Sequence, residues 1–199
     1  PDPRDVDAAA AALIAARRPM LYAGQGVHYA RAWDELKAVA ELLEIPVTTS
    51  LEGKSAFPET HPLSLGSGGV AMPRAVAAYV AESDVVFGAG ASFTATGFGI
   101  RFPTKDKTFI HNTTDPHDID KNIPAKYPMV GDSKLALGML HEALKDRLKK
   151  PRGLAPQWPG PHRPGRGPHR LGRSAALRKR GPARRPDAGR PDVGTGVHP

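Results

Sequence analysis

The chain has 199 residues, a formal net charge of +8, 24% charged side chains and no cysteine. The missing thiol excludes a disulfide scaffold, thiolate metal sites and a cysteine nucleophile, and it is compatible with the cytoplasm, where we expect the protein. The charge is lopsided: residues 151–199 hold ten Arg and one Lys against two Asp, so residues 1–150 are close to neutral and the basic balance describes the tail.

The first helix opens at Asp5 and runs through Val6, Leu13 and Ile14 among alanines. Alanine favours helix, and the acid and the later Arg17-Arg18 pair suit the two ends of its dipole. Pro19 stops it, and Pro19-Met20-Leu21-Tyr22-Ala23 reads as a buried parallel strand feeding the turn Gly24-Gln25-Gly26. From Arg31 to Leu43, Trp33, Leu36, Val39, Ala40 and Leu43 recur at helical spacing. Ile45 to Thr49 is a second strand, and residues 53–69 read as a long Gly/Pro/Ser-rich loop.

A helix follows from Pro73 to about Ala81. Three more strands are Asp84 to Gly88, Lys107 to His111, and Pro128 to Val130, the first ending in the turn Gly88-Ala89-Gly90. Asp115-Pro116-His117-Asp118 reads as a turn entering a short helix. Asp132 or Ser133 caps a last helix through Leu135, Leu137, Leu140 and Leu144 that closes on Lys145, Arg147, Lys149 and Lys150. Strands and helices alternate, and the strands are apolar without polar alternation. That pattern predicts an α/β fold, a doubly wound, Rossmann-like parallel sheet with helices on both faces, over residues 1–150.

In such a sheet ligands bind beyond the carboxyl ends of the strands. Three ends qualify: Gly24-Gln25-Gly26, Thr49-Ser50-Leu51 and Gly88-Ala89-Gly90. Glycine lets a phosphate approach the backbone, but it also serves any tight turn, and Tyr29 stands where the third glycine of the dinucleotide fingerprint would fall. No His pair has metal-ligand spacing, no serine sits in a nucleophile elbow, and no Walker phosphate loop is present. The near-neutral body argues against nucleic acid, and no apolar run approaches the ~18–20 residues of a membrane span. A nicotinamide-dependent deacylase shares the general fold, but its catalytic His context and zinc cysteines are missing.

Four stretches carry a family resemblance: Arg18 to Gly26, Ile45 to Pro58, Ser83 to Gly90, and Asp115-Pro116 through Lys121-Asn122 with Val130-Gly131-Asp132. Residues of about 3 to 148 resemble the central domain of thiamine-diphosphate-dependent enzymes, particularly the acetolactate synthase type. The resemblance implies a six-stranded sheet and a parent enzyme acting on 2-oxo acids. It also implies thiamine diphosphate and Mg²⁺ held by N- and C-terminal domains, which would be this chain's partners in a homo-oligomer. The chain would then be a fragment, inactive by itself and with no catalytic or metal-binding residue of its own. Some family members hold FAD or ADP in this domain. Carried over by position, the nucleotide loops would be Gly24, Gln25 and Gly26; Ser50, Leu51 and Glu52; Gly66 to Gly69; Gly88, Ala89 and Gly90; and Asp115. Two departures argue against FAD. Ser92-Phe93-Thr94-Ala95 stands where FAD-binding members carry Arg-Phe-Asp-Asp, and Asn112-Thr113-Thr114-Asp115 retains one of two carboxylates. A stand-alone FAD- or ADP-binding module without catalysis is the alternative.

The tail has ten Pro and nine Gly in residues 151–199, which block helix and sheet alike. We expect it to be disordered, or the frameshifted reading of a GC-rich gene. The chain also begins on Pro rather than Met, so it reads as a piece of something longer.

Overall fold

The computed structural model describes residues 1–69 and 72–148. The tail, and the expectation of disorder or frameshift attached to it, lie outside the described residues. Among the described residues five α-helices and six strands follow one another, with a short 3-10 helix at Pro116–Asp118 between the last two strands: α1 (Pro3–Ala15), β1 (Pro19–Ala23), α2 (Gly26–Tyr29), α3 (Trp33–Leu43), β2 (Val47–Thr49), β3 (Ser64–Ser67), α4 (Arg74–Glu82), β4 (Val85–Ala89), β5 (Thr108–Thr113), β6 (Tyr127–Val130) and α5 (Ser133–Arg147). All strand pairs are parallel, and the order across the sheet is β3-β2-β1-β4-β5-β6.

The apolar strands are buried because both faces of the sheet are covered. Alternate side chains point to opposite faces. Leu21 and Ala23 of β1, Val85, Phe87 and Ala89 of β4, and Ile110 of β5 pack with α1, α3 and α5. Met20, Tyr22, Val86 and Phe109 point the other way, toward α4 and the segment carrying Phe93, Ile100 and Phe102. The doubly wound expectation therefore holds, with the sheet as the middle layer.

Local chemistry sets the ends of the elements. Asp2 caps α1, accepting from the Arg4 amide, and its link to the Arg4 side chain pulls its carboxyl down to about 2. The α1–β1 junction is pinned where Asp84 accepts from the amides of Arg17 (2.6 Å) and Arg18 (2.8 Å). Asp132, not Ser133, caps α5, taking the Lys134 and Leu135 amides at 2.9 and 3.1 Å.

Two elements differ from the sequence reading. Residues 53–69 are not all loop, because their last part is the edge strand β3, which makes up the six strands. Its single bulky apolar residue is Leu65, and Gly66 sits at φ +83° where the register with β2 slips. Apolar patterning cannot announce such a strand. It is held by Thr48, which donates to the Gly66 carbonyl (2.8 Å), and by Thr49, which donates to Ser67 (2.9 Å). The short α2 was also not foreseen, since one turn of helix has no period to read.

Candidate functional site

β1 and β4 are neighbours in the sheet, while β2 lies to one side of β1 and β5 to the other side of β4. The connections leaving β1 and β4 thus depart in opposite directions, which opens a crevice at their carboxyl ends. A cavity of about 500 Å³ occupies it.

The two glycine turns form its back wall by meeting each other. The Gly24 amide donates to the Ala89 carbonyl and the Gly26 amide to the Gly90 carbonyl, both at 2.9 Å. A Cβ on Gly24 or Gly26 would run into the backbone of Gly90 and Ala91, and one on Gly90 into Gly26 and Val27. Gly90 also takes the left-handed φ of +56°. These glycines are required by the contact between two loops.

Asn112 locks this wall to the next strands. It is fully buried, and its Oδ1 accepts from the Gly90 amide at 3.1 Å. Its Nδ2 donates to the carbonyls of Met129 (2.9 Å) and Gly131 (3.1 Å). Beside it His111 is buried, with Nε2 donating to the Ala91 carbonyl at 2.6 Å and Nδ1 without a partner among the described residues. Burial pushes its imidazole below the ordinary value, and the Ala91 bond opposes that shift.

The floor is aromatic. Tyr22 stacks on Phe93 with centroids 5.6 Å apart and meets Phe102 edge-on at 5.0 Å. Phe93 covers Gly88, where any Cβ would strike its ring. Burial, then the charge of Glu52, push the Tyr22 phenol up to about 12, although a hydrogen bond with Ser50 pulls the other way. Tyr22 therefore stays protonated at neutral pH. Tyr29 stands exposed on the rim. Four carboxylates line the cavity: Glu52, Asp115, Asp118 and Asp132. Asp115 accepts from the amide and the ring of His117, both at 2.9 Å, which holds its carboxyl below the usual value. Asp118 lies 3.5 Å from Lys121. None of the described lining residues is Lys or Arg.

Of the residues singled out by sequence, Gly24, Gln25, Gly26, Ser50, Glu52, Gly90 and Asp115 line this cavity. Leu51, Gly66 to Gly69, Gly88 and Ala89 stand elsewhere. Leu51 is exposed beside Gly69, and Gly66 lies in the edge strand. Gly88 is covered by Phe93, and Ala89 faces the core on the α1, α3 and α5 side. Sequence reasoning did not single out Tyr22, Phe93, Phe102, Asp118 or Asp132 for the cavity. For Tyr22 the available signal was strand alternation, which puts it on the face opposite Leu21 and Ala23.

Strand order and crevice together define a Rossmann-like α/β domain with a ligand-sized cleft at its switch point. Residues 6–140 match the model of the thiamine pyrophosphate enzyme central domain, and the chain belongs to that family. It is 40% identical over 143 residues to a probable acetolactate synthase large subunit of Methanocaldococcus jannaschii, covering 71% of this chain and 24% of that protein. It is 38% identical over 147 residues to an acetolactate synthase of Mycobacterium bovis, covering 73% and 24%. Among solved structures it resembles a benzoylformate decarboxylase from Polynucleobacter necessarius (TM-score 0.60, 27% identity, 72% of this chain and 27% of that one). A putative thiamin diphosphate-dependent enzyme from Mycobacterium smegmatis gives a TM-score of 0.59 at 32% identity, over 72% and 28%. The chain spans about a quarter of the length of the curated relatives it matches.

The family name implies thiamine diphosphate, and the cavity does not fit its diphosphate. Such a group needs cations, a metal or free amides. Here the walls carry four carboxylates, and the amides of Gly24, Gly26 and Gly90 donate within the protein. Among the described residues no group of three or more His, Cys, Asp or Glu is placed to hold a metal ion, and no helix is long and apolar enough to cross a membrane.

Proposed function

We propose that residues 1–150 are the central domain of a cytoplasmic, acetolactate synthase-like enzyme that acts on 2-oxo acids. In this reading the parent decarboxylates a 2-oxo acid and transfers the resulting carbanion equivalent to a second carbonyl. Thiamine diphosphate and Mg²⁺ are held by N- and C-terminal domains flanking this one, in a homo-oligomer. This domain positions its neighbours and contributes no reacting group. The reading rests on one observation above the others, the 38–40% identity to acetolactate synthases confined to about a quarter of their length.

Two measurements test it. The purified chain, given pyruvate, thiamine diphosphate and Mg²⁺, should form no acetolactate above a protein-free control; formation above that control refutes the assignment of the chemistry to other domains. Residues 1–148 put in place of the matching segment of the Mycobacterium bovis relative should give a folded chimera that still makes acetolactate. A folded chimera without that activity would sink the scaffold role.

A further inference from the structure

His28 stands where α2, α3 and the segment after β2 meet, and its hydrogen bonds assign its tautomer. An indole N–H can only donate, and that of Trp33 lies 2.9 Å from Nδ1 of His28. Nδ1 is therefore the bare nitrogen and accepts. The ring proton sits on Nε2, which donates to the Lys54 carbonyl at 2.9 Å. The neutral ring is thus satisfied at both nitrogens.

The charged ring is not. Imidazolium donates at both nitrogens, so a proton on Nδ1 would face the Trp33 N–H, donor against donor. The Lys54 bond survives that change and the Trp33 bond does not. The charged side chains on the elements around the ring are Arg31, Asp34 and Glu35 about the start of α3, and Glu52, Lys54 and Glu59 after β2. Lys54 pairs with Glu59 (3.8 Å) and Glu35 with Lys134 of α5 (3.4 Å). Among the described residues the ring bonds none of these side chains. His61 gives the contrast. Its Nδ1 accepts from the Leu63 amide at 3.1 Å, but its Nε2 lies 3.1 Å from a Glu41 carboxylate oxygen, so a charged ring there keeps an ionic partner on α3.

Trp33 is the first residue of α3, 42% exposed, and meets His28 edge-on with centroids 6.0 Å apart. The residue before it, Ala32, offers the helix no side-chain cap. The Trp33–His28 bond is thus a side-chain tie between the uncapped start of α3 and α2.

We infer that His28 is a proton-operated latch on the start of α3: neutral, it holds the Trp33 indole, and on taking a proton at Nδ1 it releases the indole while keeping the Lys54 carbonyl. Acid then frees an aromatic side chain on a surface that already exposes Tyr29 and Arg31. Neither His28 nor Trp33 lines the crevice, so the latch works whatever binds there.

Trp33 and Trp158 are the two tryptophans of the chain, so the full chain carrying Trp158→Phe reports on Trp33 alone. One ordinary hydrogen bond favours docked over free indole about fivefold. Acrylamide quenching of Trp33 should therefore strengthen as pH falls from about 8 to about 5, with the far-UV circular dichroism unchanged. His28→Gln supplies an acceptor and a donor but does not titrate, and with it the quenching should not vary with pH. His61→Gln should leave the rise in place. Nitrogen NMR of the His28 ring at about pH 8 should find the proton on Nε2. A proton on Nδ1 at that pH refutes the latch. So does quenching that ignores pH in the chain with His28, a rise that tracks loss of the dichroism signal, an equal rise in His28→Gln, or a rise that vanishes with His61→Gln.

Discussion

Asn112 is the residue whose loss should be felt most, because one buried side chain ties three segments together. Its amide bonds Gly90, Met129 and Gly131 at 3.1, 2.9 and 3.1 Å with no solvent exposure. A net ~1 kcal/mol for each bond gives about 3 kcal/mol for Asn112→Ala, and stranding the Gly90 amide adds roughly 1 kcal/mol or more. Against a domain stability of about 5–15 kcal/mol that is a large share. With a urea slope near 1.5 kcal/mol/M, the unfolding midpoint of the full chain should fall by about 2–3 M. Asn112→Asp separates bonding from shape. It keeps an acceptor for Gly90 but sets a carboxylate oxygen against two carbonyls. The folded carboxyl should therefore titrate above its unfolded value of about 3.9, so its penalty is full at neutral pH, shrinks as pH falls through the folded pKa, and vanishes below the unfolded one. A cost of less than about 1 kcal/mol for Asn112→Ala, or an Asn112→Asp deficit that ignores pH, would refute the claim that this residue locks the cleft wall.

Gly90→Ala should cost about 2–3 kcal/mol in the same urea assay, since it combines a left-handed φ with a collision against Gly26 and Val27. Gly138→Ala is its control: it lies in α5 with open space around the added methyl, and should stabilise by about 0.5–1 kcal/mol. For His111, burial lowers the folded pKa below 6.5 while Asp118 and Asp120 partly offset it, so the unfolded chain binds the proton more readily. Its contribution to stability is therefore intact above pH 6.5 and is lost as pH falls below it. The urea midpoint should drop between pH 7.5 and about 5 in the natural chain and drop less in His111→Gln, which keeps a donor for Ala91; equal slopes would refute this.

The parts of the fold that were legible in the sequence are those whose signal is local. Pro19–Ala23 and Val85–Ala89 are buried at every position, so their unbroken apolar runs announced central parallel strands. The cap of α5 was readable as Asp132 or Ser133, and the turn at Asp115 as entering a short helix, because a cap acts on amides two or three residues away. What escaped depends on partners distant in sequence. β3 exists because Thr48 and Thr49 reach it across the sheet edge. The use of Gly24, Gly26 and Gly90 could not be decided from the turns alone, since a glycine that admits a phosphate and one that admits another loop look identical in sequence. Asn112 looked like the loss of a carboxylate motif, and its three bonds reach from residue 90 to residue 131.

The match to the family model spans residues 6–140, which take in the whole sheet and its turns. A Rossmann-like order produces a crevice at the β1–β4 boundary whatever binds there, because the connections must part on opposite sides. The ligand is chosen by the side chains that fill that opening. Here they are Ser92, Thr94 and Thr113, beside the amides of Gly24, Gly26 and Gly90, which donate within the protein itself. Those three amides need no ligand to complete their hydrogen bonds. The domain can therefore keep its place in the thiamine-diphosphate fold while the ligand preference of its crevice changes independently.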